Sequence, residues 1–506
     1  MANHLFARKP LSELLEEMKG EDRLRRVLGP VQLTALGVGC IIGAGIFVAT
    51  GAAAHNIAGP SLMISYMVAG ASCIFAALCY AEFASMAPVA GSAYTYAYAT
   101  LGELFAWIIG WDLILEYAVG AATVANGWSG YFQSVIAKFG LHFPEALAGP
   151  PIVYKAGEFV HTAGVINLPA VIIVTIVTIV LVKGIQESAG FNTLMVFLKL
   201  AAVLFVILVG AFYVDPQNWH PFAPYGMTGV SFFGYTVAGQ VDAGGAPVGM
   251  LAGAAIIFFA YIGFDSVSTH AEEAKRPSRD VPIGIIASLV ICTTLYIGVV
   301  AVLTGMVPYD KLSIDAGVSD AFKQAGLPWA ELIIAAAGVA GITSVLLVLM
   351  LSAPRVFLAM ARDGMVPRSF FADVHPRFRT PWRSTILIGV FVALMTGFLP
   401  LDALLHLTNI GTLLAFVIVC AAVLIMRKTN PNAERPFRTP LYPIVPILGI
   451  IMCLLLMFSL PAANWYRLIA WMAIGLVVYF SYGYRHSLMA TRMKQASAAG
   501  GVARRQ

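Results

Sequence analysis

The sequence predicts an all-α membrane protein of about twelve transmembrane helices, built as a five-plus-five inverted repeat with interrupted first and sixth helices. Three observations predict it. Hydrophobic residues make up 59% of the 506-residue chain and charged residues 11%, against about 25% charge in an average soluble domain. Apolar stretches long enough to cross the ~30 Å hydrocarbon layer recur along the chain. Lys and Arg gather in alternate connecting segments, which is the signature of a fixed membrane orientation.

The apolar stretches fall at about 32–57, 60–87, 101–136, 167–185, 190–213, 249–275, 282–306, 329–361, 383–400, 402–426, 440–460 and 463–485. The third and eighth exceed what a perpendicular crossing needs, so a tilt or a protruding end is expected. With a cytoplasmic N-terminus, 25 of the 31 basic residues lie on the inner side: in 1–30, at Lys183, and in 275–279, 355–383, 427–438 and the segment after 484. Only Lys138, Lys155, Lys311, Lys323 and Arg467 lie outside, and Lys199 lies within a span. A missed helix would invert every later segment, so the asymmetry also checks the count. It predicts an integral protein of the cytoplasmic (inner) cell membrane with both termini cytoplasmic. The same bias accounts for the net charge of +5, so no nucleic-acid partner is expected.

The expected organisation is a cytoplasmic N-terminal segment (1–30), a first five-helix repeat (31–213), a second inverted repeat (249–426), two additional helices (440–485) and a cytoplasmic tail (486–506). Glu13, Glu16, Glu17, Glu21 and Asp22 argue against a cleavable signal peptide at the start. Residues 8–28, with Leu11, Leu14, Leu15 and Met18, read as an amphipathic stretch at the inner face. The basic tail reads as one that touches anionic lipid.

All six cysteines sit inside apolar runs and read as small buried residues. The nine histidines are scattered, so neither a metal site nor a cofactor is expected. "GVGCIIG" has G-x-G-x-x-x-G spacing with no preceding strand, which argues against a dinucleotide loop. No nucleophile–base cluster supports an enzyme, and no charged ring supports a channel.

The stretch "LTALGVGCIIGAGIFVATG", Leu33 to Gly51, carries five glycines within an apolar run. Glycine costs about 1 kcal/mol per helical position relative to alanine. Such glycines let membrane helices approach closely, or they mark an interruption around Ile42-Gly43-Ala44-Gly45. Irregular backbone at membrane depth persists only where it lines a cavity or is buried in protein. An interruption offers amides at one half-helix start and carbonyls at another half-helix end, two poles that suit a zwitterion. The sixth span, "LAGAAIIFFAYIGFDSVSTHAEEAKRPSRD", carries a matching interruption at Gly263 and Asp265.

Four stretches then carry a resemblance: "GVGCIIGAGIFVATG", "FFAYIGFDSVSTHAEEAKRPSRDVPIGI", "AMARDGMVP" and "RPFRTPLYPIVPILGI", with "GWDLILEY" in support. Over residues 20–485 the chain resembles bacterial members of the amino acid–polyamine–organocation superfamily, near its cationic amino acid transporter branch. The resemblance implies a LeuT-type fold and secondary active uptake of L-amino acids by alternating access, usually with proton symport. The alternative is an exchanger of amino acids or polyamines in the same fold. Residue by residue, it implies that a substrate carboxylate meets the backbone amides of Ala44 and Gly45, with Gly43 also at the substrate site. It also implies that the α-amino group meets carbonyls of Ile41, Phe259, Ala260 and Ile262, with Phe259 as a lid. Where many relatives have Thr, this chain has Ala44, which offers only its backbone.

Lys199, in "FNTLMVFLKLAAVLFVILVG", is expected at mid-span, where a lysine costs about 2.5–3.5 kcal/mol on insertion scales. Sodium-coupled relatives of the fold place a cation between the first and eighth spans. The lysine resembles a tethered cation there, bonded to first-span carbonyls and to Thr343 or Ser344, and burial suits an amine that must also release its proton. Proton coupling through Lys199 without sodium is therefore expected. Asp112 and Glu116 share a helical face, and Glu116 is expected at the substrate cavity. Asp265 is expected to cap the second half-helix of the sixth span, and Glu82 to join basic residues at the inner end. Ile342 and Leu349, seven apart, share a face of the eighth span. Leu349 is expected to shorten the pocket and favour neutral, small or medium substrates. The expected partners are an amino acid, protons and membrane lipid; an accessory membrane subunit is left undecided.

Overall fold

The protein is described from a computed structural model. It covers residues 4–10 and 28–491, except 87–91, 156–157, 185–188, 233–234, 272–273, 315–316, 379 and 490. The amphipathic residues Leu11, Leu14, Leu15 and Met18, and the tail beyond 491, lie outside the described residues.

Among the described residues, eight helical stretches are long and apolar enough to cross a membrane. One of them, Pro30–Met86, contains two successive helical segments, and the shorter apolar helices Leu168–Lys183, Trp382–Phe398 and Ile444–Phe458 bring the apolar helical segments among the described residues to the twelve expected. Both ends of the described chain meet on one residue at the end of the eighth span. The Lys9 ammonium pairs with Asp363 Oδ1 at 2.9 Å, and the Leu488 amide donates to the Asp363 carbonyl at 3.0 Å. Termini at one end of the bundle require an even number of crossings, which independently supports the count.

The long third (Glu103–Ala137) and eighth (Pro328–Arg362) spans cross the bundle beside each other. Small residues set their separation. A side chain at Gly110 would meet Met360 Sδ at 2.8 Å, one at Gly338 the Tyr131 ring at 2.9 Å, and one at Gly120 would touch Leu349 Cδ1 at 3.5 Å. Without a hydrophobic driving force between helices in lipid, such close approach supplies the packing energy. The Tyr131 hydroxyl, buried in the third span, donates to the Phe47 carbonyl at 2.6 Å and so fastens this pair to the first span.

Candidate functional site between the two broken spans

The first span begins as the helix Pro30–Ile41. It stops because Ile42 turns to an extended backbone (φ −73°, ψ 105°), its amide still closing on the Val38 carbonyl at 2.9 Å. The chain re-enters helix through a wide turn, Gly45–Ala49. The sixth span runs as Met250–Ile257, tightens over Phe258–Tyr261 and breaks at Ile262, before a short helix at Ser266–Thr269. Gly263 has φ +114°, a conformation that needs glycine. The first amides of the half-helix from Gly45, and the last carbonyls of the one ending at Tyr261, lack intrahelical partners by construction.

The two breaks lie against each other. A Cβ on Gly45 would stand 2.2 Å from the Ala260 Cα, and one on Gly263 would stand 3.2 Å from the Cys40 Cβ and carbonyl oxygen. The glycines thus serve both readings at once: they interrupt the helix, and they admit the neighbouring backbone.

Between the breaks lies a cavity of about 10 Å³, room for about one water. Of the residues singled out from the sequence, Ile41, Gly43, Ala44, Gly45, Phe259, Ile262 and Leu349 line it, and Cys40, Val124 and Val345 complete the wall. Ala260 stands just behind, against Gly45. Every lining side chain is uncharged. A second cavity, about 30 Å³, lies toward the end that carries the termini and shares Cys40 with the first; it reaches Gly39, His270, Ser344 and Arg355.

Glu116 is not brought to the cavity wall. It is buried in the third span, and Asp112 and Asp265 stand near it. Asp265 occupies the position before the Ser266–Thr269 helix but makes no side-chain capping bond; its Oδ2 accepts the Tyr117 hydroxyl at 2.6 Å. The cap read from the sequence is therefore replaced by a tie to the third span. A tyrosine competes well for a buried carboxylate because an oxygen donor to it forms a short, strong bond.

Lys199 is buried in the helix Ala189–Gly210. Its ammonium donates to the Gly39 carbonyl of the first span at 2.5 Å, and its stem lies on Gly341 of the eighth. It thus stands between the first and eighth spans. The two hydroxyls offered as further partners are used elsewhere. Thr343 accepts the Trp128 indole N–H at 2.8 Å and donates to Val339, and Ser344 donates to the Gly341 carbonyl at 3.1 Å. Glu82 meets the basic residues expected of it. Arg427 grips it with two bonds of 2.9 and 2.6 Å, Arg435 Nε lies at 3.3 Å, and the Thr439 amide donates at 2.8 Å.

Two residues bonded to the broken spans escaped the sequence reading. The Tyr296 hydroxyl, in the span Pro277–Met306, reaches the Ile41 carbonyl at 2.8 Å and the Ala260 carbonyl at 3.0 Å, so it spans both breaks. Asn409 donates to the Ala255 and Ile256 carbonyls at 2.9 and 2.8 Å, covering the end of the first sixth-span half-helix. The available signal was polarity inside an apolar run, "LTNIGT" for Asn409, where an amide needs a partner; a tyrosine gives no comparable signal, because its ring suits the bilayer.

The fold is a multi-span helical bundle with two broken helices crossing at a small central cavity, and the sequence comparisons place it among membrane transporters of the permease class, not enzymes. The sequence comparisons specify which permeases. The amino acid permease family model matches residues 28–479, and the chain belongs to that family. It is 46% identical over 485 residues to the methylthioribose transporter of Bacillus subtilis, covering 96% of this chain and 99% of that one. It is likewise 46% identical over 488 residues to the branched-chain amino acid permease BcaP of the same organism, with the same coverage. Human cationic amino acid transporter 4 is 37% identical over 429 residues, which is 83% of this chain and 63% of that protein.

Proposed function

We propose that this permease carries small or medium neutral L-amino acids across the cytoplasmic membrane by alternating access, coupled to proton entry through Lys199. The observation that carries the reading is the cavity where the two broken spans meet, with backbone poles at its ends and uncharged Val124, Phe259, Val345 and Leu349 around it. The carboxylate sits at the amides of Gly43, Ala44 and Gly45, where a half-helix start favours an anion by about 0.3–1 kcal/mol, and up to ~2 when partly buried. The ammonium takes the Ile41 and Ala260 carbonyls, and the carbonyls of Phe259 and Ile262 complete its surroundings. An apolar wall offers nothing to a cationic side chain, which would pay to lose its water. The branched-chain permease among the relatives fits such a wall.

Protonated Lys199 pins the first half-helix through the Gly39 carbonyl. A hydrogen bond to a charged group contributes about 1.5–3 kcal/mol net. Deprotonation removes the charge and leaves a neutral amine, whose bond contributes only about 0.5–1.5 kcal/mol, and so loosens the hold on the half-helix. The second cavity, about 30 Å³, borders Gly39 on the side toward the end bearing the termini, with room there for water that can exchange a proton. The basic residues gathered at that end support its reading as the cytoplasmic side.

The test is uptake of L-leucine, L-valine and L-alanine by proteoliposomes. Accumulation with an inward proton gradient, unchanged when sodium is replaced at constant pH and abolished in Lys199→Ala, is expected. Movement only into vesicles preloaded with unlabelled substrate would overturn symport in favour of exchange. Uptake that collapses on sodium removal would overturn the role given to Lys199.

A further inference from the structure

The loop before the sixth span contains "MTGVSFFGYTVAGQV", Met227 to Val241, fifteen residues with no charge. It folds into an antiparallel hairpin of Val230–Phe232 and Tyr235–Ala238. Phe232 pairs directly with Tyr235, so both point to one face; Val237 follows at the register shift of the same strand, where it is unpaired and exposed. Tyr235 is 83% exposed and Val237 70%, while Phe232, 53% exposed, rests one side of its ring on Phe458. The opposite face is held down, because buried Ser231 donates to the Leu460 carbonyl at 3.2 Å. An uncharged apolar face of this kind needs a covering.

The position of the hairpin says what covers it. Leu460 lies in the turn between the eleventh span, Ile444–Phe458, and the twelfth, Ala462–Val478, at the bundle end remote from the termini. The Phe232 ring lies 5.3 Å from that of Phe458, the last residue of the eleventh span, and Trp465 stacks on Phe458 from the other chain segment, also at 5.3 Å. The hairpin therefore sits level with the last turn of a membrane helix, within an aromatic group of the type that marks the bilayer interface. Exposed apolar residues on those helices, Ile451 and Ile469 among them, continue the surface toward mid-membrane. The eleventh helix has 15 residues, about 22 Å at 1.5 Å each, which falls short of the ~30 Å hydrocarbon layer. A short span leaves bilayer edge uncovered at its end.

We infer that this hairpin is a membrane anchor, with Phe232, Tyr235 and Val237 inserted at the headgroup–acyl boundary of the outer leaflet. The same loop is bonded to the start of the sixth span through Met250 N to the Gly226 carbonyl (3.1 Å) and Leu251 N to the Thr228 carbonyl (3.3 Å). The anchor holds the entry of the broken helix at a fixed depth.

The test is nitroxide labelling of the full chain at Tyr235→Cys, in vesicles of phosphatidylcholine and phosphatidylglycerol, with power saturation against oxygen and a water-soluble nickel chelate. All six native cysteines are buried, and the unmodified protein carried through labelling sets the background. Val237→Cys, exposed on the same strand, repeats the reading should Tyr235→Cys fail to fold, and Ala243→Cys, in the exposed polar turn beyond, reports water. Oxygen-dominated relaxation at 235 and 237 with nickel-dominated relaxation at 243 is expected. Nickel-dominated relaxation at all three would overturn the anchor. Dipolar broadening at 235 that vanishes on dilution with unlabelled protein would also overturn it, showing that a second copy of the chain covers the face.

Discussion

Gly43 and Gly45 stand two residues apart in the first break, yet the structure predicts opposite genetics for them. A Cβ on Gly45 would lie 2.2 Å from the Ala260 Cα, 2.5 Å from its Cβ and 3.1 Å from its nitrogen. Carbon atoms rest at about 3.5–4.0 Å, so the two spans would have to part by more than 1 Å, and the obstacle is backbone, which cannot rotate aside. Overpacking costs about 1–3 kcal/mol, and a backbone obstacle puts Gly45→Ala at the upper end. The separation also pulls the half-helix amides away from the sixth-span carbonyls, and a substrate that bridges them loses one pole. A loss of 1.4–2.8 kcal/mol is a 10- to 100-fold weaker Kd. A Cβ on Gly43 meets Val345 Cγ2 at 2.6 Å and its Cβ at 3.2 Å, side-chain atoms only. Gly43→Ala therefore costs about 1–2 kcal/mol, and Val345→Ala should restore most of it by removing the obstructing methyls. The assay is a double-mutant cycle read by calorimetric binding of L-leucine and by thermal unfolding in detergent. Wild-type binding in Gly45→Ala would refute the reasoning, as would rescue of Gly45→Ala by Val345→Ala.

Three further outcomes follow from the same geometry. Leu349→Ser shortens a cavity-lining side chain beside Gly120, so longer amino acids should begin to compete for uptake; an unchanged competition profile would remove Leu349 from selectivity. Tyr296→Phe deletes the hydroxyl shared by the Ile41 and Ala260 carbonyls. At about 0.5–1.5 kcal/mol for a neutral bond, the empty protein should melt earlier while L-leucine binds up to about tenfold tighter. Glu82→Gln leaves Arg427 and Arg435 without their carboxylate at the end bearing the termini; removing one partner of a buried pair costs about 3–5 kcal/mol, and thermal unfolding should show the loss with L-leucine affinity unchanged.

The span pattern was legible because lipid imposes it: a helix must be long enough, and its flanking charges must choose a side. The glycine-rich break was legible for the related reason that Gly37, Gly39, Gly43, Gly45 and Gly51 are costly to a helix unless something repays them. Seven of the residues proposed from the sequence line one cavity; six of them fall within two short segments that the breaks themselves define, and Leu349 reaches the cavity from the eighth span. Glu116 was misplaced because helical periodicity gives a face and not a neighbour: its face meets Asp112 and Asp265 rather than the cavity. The Asp265 cap failed because a local capping rule weighs only the residue's own helix, and the Tyr117 hydroxyl arrives from 148 positions away. Tyr296 was illegible for the same reason. Its ring looks like any buried aromatic in a membrane span, and only the fold shows which carbonyls its hydroxyl meets.

Tyr296 also bears on how an empty permease tolerates its own site. Broken helices leave backbone groups that would cost about 1–3 kcal/mol each if buried without partners, and the cavity has room for about one water to serve them. The protein covers much of the deficit internally. Tyr296 serves a carbonyl from each break, Asn409 serves the end of the first sixth-span half-helix, the Ile262 amide serves Phe259, and Ser266 serves Gly263. A hydroxyl shared between two carbonyls is a weak version of what an ammonium, with three donors, can supply. The exchange of one for the other is therefore favourable only if the breaks part enough to admit the ligand. That requirement couples occupancy to movement of the two broken spans, which is the condition for carrying a substrate rather than merely holding one.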